Sequence, residues 1–233
     1  MDHERNYARL ETNPLMSLLL LVIFLFTGMS GNPGHSTPQF DLPESAHGAL
    51  AGKVIVIDPG HGGMDPGAVG ISGRTLEKYN VIWIARDLKA LLEKAGAKVI
   101  MTREGDNYLS LDARARLANQ RGAHIFVSIH NDANLNRQIR GTTTYLYDAA
   151  SRPLAASVQR ELVRALGSND IGVRQAPFYV IRKTQMPAIL VEVGFMTNVN
   201  EEKLLVDPSY RLRAARGIYN GIVNYFGSKA AIR

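Results

Sequence analysis

No cysteine occurs among the 233 residues of this chain. That removes thiolate metal sites, catalytic thiols, disulfides and any lipid anchor attached through cysteine. It is compatible with an oxidising or extracellular setting without demonstrating one. Basic runs interleaved with aromatics are missing as well, so a net charge of +6 and a pI near 9.6 do not indicate a nucleic-acid module. The scattered cations Arg86, Lys89, Arg114, Arg116, Arg160, Arg164, Arg211 and Arg213 read mostly as solvated helix faces. Their excess favours polyanions, acidic lipid or the anionic polymers of a bacterial wall. There is no internal repeat.

Long apolar runs are scarce too. The single strong one, Leu15–Met29, would span roughly 22 Å as a helix, short of the ~30 Å hydrocarbon core. It fits the apolar part of a signal peptide better than a full membrane span, and small residues follow at Gly28, Ser30 and Gly31. Against that, Asp2, Glu4 and Glu11 nearly cancel Arg5 and Arg9. Residues 1–30 are therefore expected to be a signal peptide or an N-terminal membrane anchor. Contact with a membrane is expected only through that segment, and the protein is expected to act outside the cytoplasm. Residues 31–50, rich in Gly, Pro, Ser and His, read as a flexible linker. His3, His35 and His47 fall in these segments and are poor candidates for a preformed site.

Residues 51–228 carry the folded part, with a short tail at 229–233. Hydrophobic content of 45% and charged content of 21% are ordinary for a globular chain. Short apolar runs alternate with amphipathic stretches, which predicts a single α/β domain. Strands are expected at Val54–Ile57, Lys98–Met101, His124–His130, Thr142–Tyr147, Phe178–Ile181 and Ala188–Gly194. Helices are expected at about Leu76–Lys94 with Thr75 as cap, from Ser110 to Arg121 with Leu111, Ala115, Leu117 and Ala118 inward, at Arg152–Leu166 and at Pro208–Phe226. The predicted architecture is a six-stranded, mostly parallel twisted sheet with helices on both faces.

The first strand should stop at Asp58-Pro59-Gly60, because proline does not continue a central strand. His61 follows in a glycine-rich turn at the strand's carboxyl end, where open α/β sheets place ligands. A solvent-facing turn histidine is the plain alternative. Gly60-His61-Gly62 lacks the further glycine of a dinucleotide loop, and no Gly-Lys-Ser/Thr follows. Without cysteine, a transition-metal site must come from His, Asp and Glu. His124 and His130 occupy opposite ends of one strand, roughly 20 Å apart at ~3.3 Å per residue. Only His130 is level with His61, and His124 is left at the opposite rim. Glu77, in the first turn of the next helix, either favours the helix dipole or completes the set. Two imidazoles, one carboxylate and a place for water make the ligand set of a catalytic zinc site. Glu192 interrupts an apolar strand, Ile189-Leu190-Val191-Glu192-Val193. It is either half of a buried arginine salt bridge or a general base at the same edge.

These residues carry a resemblance. Asp58-Pro-Gly-His-Gly-Gly63, Glu77-Lys78, Ser110-Leu111 with Arg114 and Asn119, Phe126-Val-Ser-Ile-His130 and Pro187-Ala-Ile-Leu-Val-Glu192-Val-Gly-Phe195, closed by Asn198, follow one another in the order found in the zinc-dependent N-acetylmuramoyl-L-alanine amidase family of the amidase_3 type. The chain resembles that family over about Lys53 to Tyr225. The resemblance implies that His61, Glu77 and His130 bind one Zn²⁺ and that Glu192 is the catalytic carboxylate. It implies peptidoglycan glycan strands with stem peptides as substrate, cut between N-acetylmuramic acid and L-alanine.

Some family members carry a helical plug over the zinc cleft, and none is evident after Tyr147. A short exported chain of this build is similar to the germination-specific amidases of spore-forming bacteria. That subgroup implies action on spore cortex in the forespore intermembrane space, beside a co-acting wall protein such as a muramic acid deacetylase. Arg182, Asn131 and Asn198 are rim positions without an assigned role. Two other readings compete. A zinc carboxypeptidase would take two ligands from His-x-x-Glu, but Gly62, Gly63 and Met64 follow His61. An inactive peptidoglycan-binding module would have no need of the intact set of four.

Overall fold

The computed structural model describes residues 48–230, with side chains as far as Ser228. The expected export segment at 1–30, the linker as far as His47 and the last three tail residues lie outside them. The linker's last three positions belong to the folded body, since Leu50 is fully buried and its N–H donates to the Ala95 carbonyl. Twelve elements follow in chain order: β1 (Val54–Pro59), α1 (Glu77–Lys94), β2 (Lys98–Met101), α2 (Leu111–Gln120), β3 (Ile125–Asp132), β4 (Thr142–Leu146), α3 (Arg152–Leu166), β5 (Asp170–Gln175), α4 (Tyr179–Lys183), β6 (Ala188–Phe195), α5 (Val199–Leu205) and α6 (Pro208–Ala230).

The six strands form one sheet in the order β2-β1-β3-β6-β4-β5. Every neighbouring pair is parallel except β4 with β6. The near-continuous apolar runs of β1, β3 and β6 are those of strands covered on both faces. Alternation sorts them: Ile55, Ile57, Val127, Ile129, Ile189 and Val191 join the core under α1, α3 and α6. Val56, Phe126 and Leu190 point the other way, to Ala118 of α2 and to Val180 and Ile181 of α4. Three adjacent parallel strands, β1, β3 and β6, thus end together at one edge in the middle of the sheet.

Several expectations give way. β1 runs on through Asp58 and Pro59, which pair with Ser128 and Ile129 of β3. Proline is tolerated because β2 has already ended opposite Ile57, leaving that flank without a ladder to break. Thr75 does not cap α1: Leu76 holds the cap position with no side-chain bond, and the Thr75 hydroxyl donates to Glu202. Phe178–Ile181 is no strand. Its β-branched residues sit in the start of α4 and pack under the sheet, while the fifth strand is the polar edge segment Asp170–Gln175. Leu111 is 55% exposed, and Arg114 takes the inward place on α2 with 2% exposure. The short helix α5 was not anticipated; Asn198 caps it by accepting from the N–H groups of Asn200 and Glu201.

Candidate metal centre

The loop after β1 is held by buried guanidinium groups. Arg114 donates to the carbonyls of Pro59 (2.8 Å) and His61 (2.7 Å) and to the carboxylate of Asp58 (2.8 Å). Asp58, fully buried, also accepts from Thr102 (2.6 Å) and Ser128 (2.8 Å). Arg103 donates to the carbonyls of Pro59, Gly60 and Lys78. Burial, followed by the charge of Arg114, lowers Arg103 to about 10, so it stays protonated at neutral pH. Under these clamps His61 adopts a left-handed backbone, φ 59°, which non-glycine residues rarely take. Gly60 has to be glycine for another reason: a Cβ there would stand 2.2 Å from the His130 ring.

Three side chains from separate elements then meet. Glu77, at the start of α1 and 2% exposed, brings Oε2 to 3.0 Å from Nε2 of His61 and Oε1 to 2.9 Å from Nδ1 of His130. The two ring nitrogens are 3.2 Å apart, their rings edge to face at 80°. Glu77 is steadied by the N–H groups of Ala68 (2.7 Å) and Asn131 (2.9 Å). Burial pushes its carboxyl up, yet the hydrogen bonds from His130 and His61 outweigh that and hold it well below the ordinary range. On the far side of His61, Nδ1 lies 2.8 Å from Oδ2 of Asp65.

The chemistry of this donor set decides what fits it. With Nδ1 of His61 turned to Asp65, its Nε2, Nδ1 of His130 and the Glu77 carboxylate converge on one point. Ring protons bridge these groups when no metal is bound, and a divalent cation can take their place. One ligand atom from each of the three residues lies within 4.8 Å of the others. Atoms ~2.0–2.2 Å from one tetrahedral zinc stand about 3.3 Å apart, close to the separations seen. The carboxylate–histidine pair Asp65–His61 is the outer support that metal-binding histidines usually have.

Glu192 sits in register opposite His130 on the neighbouring strand. Its Oε2 is buried with no hydrogen-bond partner, and no arginine or lysine among the described residues forms an ion pair with it. The salt-bridge alternative for Glu192 is therefore not realised. Burial, then the charges of Glu77 and Asp132, push this carboxyl well above its ordinary range.

The other sequence candidates do not join the cluster. His124 accepts the Val54 N–H at 3.0 Å at the opposite end of β3. Asn198 caps α5, and Arg182 lies over the Tyr179 ring at 5.8 Å. Asn131 contributes its backbone N–H to Glu77. Asp65 was missed by sequence reasoning, although a carboxylate four residues after the loop histidine was the available signal.

Comparison with known proteins follows the same lines. The family model Amidase_3, described as N-acetylmuramoyl-L-alanine amidase, matches residues 55–224. The N-acetylmuramoyl-L-alanine amidase LytC of Bacillus subtilis is 39% identical over 181 residues, 76% of this chain and 36% of its own length. The germination-specific N-acetylmuramoyl-L-alanine amidase of the same organism is 34% identical over 227 residues, 90% of this chain and 92% of its own. Among solved structures, the catalytic domain of CwlV, an N-acetylmuramoyl-L-alanine amidase from Bacillus (Paenibacillus) polymyxa var. colistinus, has the same fold. It superposes with a TM-score of 0.74 at 39% identity, covering 75% of this chain and 98% of that one. The chain spans only 36% to 60% of the length of the first curated relatives it matches.

Proposed function

This chain belongs to the Amidase_3 family of N-acetylmuramoyl-L-alanine amidases, and from that premise we propose that it hydrolyses the amide joining N-acetylmuramic acid to the L-alanine of a peptidoglycan stem peptide. One observation carries the reading: the buried, unpartnered Oε2 of Glu192 next to the His61–Glu77–His130 cluster. His61, Glu77 and His130 would hold a single Zn²⁺, whose Lewis acidity polarises the scissile carbonyl and lowers the pKa of water.

Glu192 takes the proton of the attacking water and returns one to the departing L-alanine nitrogen. A carboxyl that must first accept and then release a proton works best with a pKa raised towards the operating pH, the direction in which burial moves Glu192. Asp65 fixes the tautomer of His61, and Arg114 fixes the loop that presents it. Cleavage leaves a free lactyl carboxylate on the glycan and a free amine on the stem peptide.

The reading puts the enzyme outside the cytoplasm, delivered by the segment at 1–30, with residues 51–228 as its catalytic domain. No helix among the described residues is long and apolar enough to cross a membrane. The long alignment with the germination-specific relative supports action on spore cortex, alongside a muramic acid deacetylase that would work on the peptide-free muramic acid.

The test is digestion of purified peptidoglycan by the zinc-loaded chain, with products identified by mass spectrometry. Stem peptides beginning with a free L-alanine amine are expected, and chelator should abolish them. Shortened stem peptides still attached to glycan would indicate a carboxypeptidase, and no release at all would leave only a binding module.

A further inference from the structure

We infer that Arg174 positions the substrate by receiving a carboxylate carried on the stem peptide one or two residues beyond the scissile amide. The inference rests on the amidase reading and adds the chemical character of the peptide that the site accepts.

Register places the residue. β4 runs antiparallel to β6 with Thr143 opposite Glu192 and Tyr145 opposite Leu190. β5 extends the sheet with Gly172 opposite Thr143 and Arg174 opposite Tyr145. Directly paired residues share a face, and so do residues two apart on a strand. Glu192, Tyr145 and Arg174 therefore look out from the same side of the sheet. Among the described residues α3 is the helix packed substantially on β4 and β5, and it lies on the other side, where Val173 joins its core.

On the near side only a light cover is present. Phe178, 40% exposed, meets Tyr145 edge to face at 5.0 Å. Gly172 leaves a gap in the row, since a Cβ built on it would meet nothing within 4 Å. Thr143, between Glu192 and Gly172 on this face, is 1% exposed, so a peptide running from the metal cluster to the edge strand would pass over half-buried Tyr145. Two strand spacings of about 4.8 Å separate Glu192 from β5, a distance that roughly three residues of extended peptide would cover.

Charge makes Arg174 the anchor on that path. Arg103 and Arg114 spend their donors on backbone carbonyls and Asp58. Arg174 is exposed and forms no ion pair among the described residues. Its side chain reaches back over β4, where it hydrogen-bonds to Tyr145. Glu77, Asp132 and Glu192 make this end of the sheet acidic, so an anionic peptide needs a cation beside its path. Beyond its hydrogen bond to Tyr145, the Arg174 guanidinium keeps donors for a two-pronged, charge-assisted grip on a carboxylate.

The test uses the zinc-loaded full chain and two peptides beginning with L-alanine, identical except that the second residue bears a free carboxylate in one and its carboxamide in the other. Calorimetry should show the acid bound about tenfold more tightly. Arg174→Ala should erase that preference while leaving metal content and thermal stability unchanged, and Arg174→Lys should keep part of it. On peptidoglycan carrying the free carboxylate, Arg174→Ala should raise KM with little change in kcat.

An unselective wild type, or a preference that survives Arg174→Ala, would overturn the assignment. Equal weakening for both peptides would do the same, and would leave Arg174 as a charge guarding an exposed strand edge. If the preference is present and lost as expected but peptidoglycan is not cleaved, the amidase reading falls and the Arg174 subsite stands. Cleavage without any preference gives the reverse.

Discussion

Single side chains divide the labour at this site in ways that separate experiments can resolve. Glu192→Gln removes the proposed proton carrier without touching a proposed ligand, so turnover should drop about 10²–10⁴-fold while bound zinc stays stoichiometric. Near-normal turnover in that variant would remove Glu192 from the mechanism. Asp65→Ala should act the other way, weakening zinc affinity about 10–100-fold in a chelator competition, because it frees the ring of His61. Unchanged affinity would reduce Asp65 to a loop residue.

Proton competition follows from the same contacts. Burial lowers the pKa of His61, but the hydrogen bond and charge of Glu77, then those of Asp65, outweigh it and raise the metal-free value above 6.5. Metal must displace that proton, so affinity should climb about tenfold per pH unit below the raised pKa and level off above it. A profile that stays flat below about pH 6.5 would contradict this. Of these residues, His61, Glu77 and His130 were legible because cysteine is absent and because each stands near the end of an apolar strand or at the start of a helix, and Glu192 because it interrupts the apolar run of β6. Asp65 was not, since its contact closes across a left-handed turn that has no sequence period. Arg114 was misread for a related reason: helical periodicity assigns a guanidinium to water, and here it is buried to satisfy carbonyls that β1 leaves unpaired.

Among the secondary-structure elements, α2 matters less for its apolar face than for the one guanidinium it inserts behind the metal loop. Arg114→Ala strands the carboxylate of Asp58, which is fully buried, and should cost about 3–5 kcal/mol in chemical denaturation. A loss below 1 kcal/mol would show that the loop holds itself. The α3–α6 pair depends on close approach: a Cβ on Gly221 would stand 2.5 Å from Cα of Val158, and one on Gly217 2.7 Å from Cα of Leu162. Gly221→Ala should therefore destabilise by about 1–3 kcal/mol despite the better helix propensity of alanine. Increased stability would mean that the helices separate freely.

Elements with strong periodicity were read to within a residue or two, as in β2, α3 and the first part of α6. The exchange of Phe178–Ile181 for Asp170–Gln175 shows where periodicity stops helping. A short β-branched run can be buried as one helical turn, whereas an edge strand exposed to water needs no apolar alternation and can carry Asp170 and Gly172.

For the molecule as a whole, strand order does more than composition to create the site. β1, β3 and β6 are far apart in sequence and adjacent in the sheet. The first two of these strands deliver the imidazoles at one edge, and β6 delivers Glu192 beside them. The helix that follows β1 returns Glu77 to the same point. The class of sheet was readable from alternating runs, but the antiparallel placement of β4 was not, because a strand's direction leaves no trace in its own residues. The most direct test of the three-ligand centre is anomalous scattering at the zinc absorption edge from crystals of the zinc-loaded protein. A single peak bonded to Nε2 of His61, a carboxylate oxygen of Glu77 and Nδ1 of His130, with Glu192 beside it and not bonded, is the expected result. A peak that omits any of those three residues, or that takes Glu192 as a ligand in place of one, would contradict it.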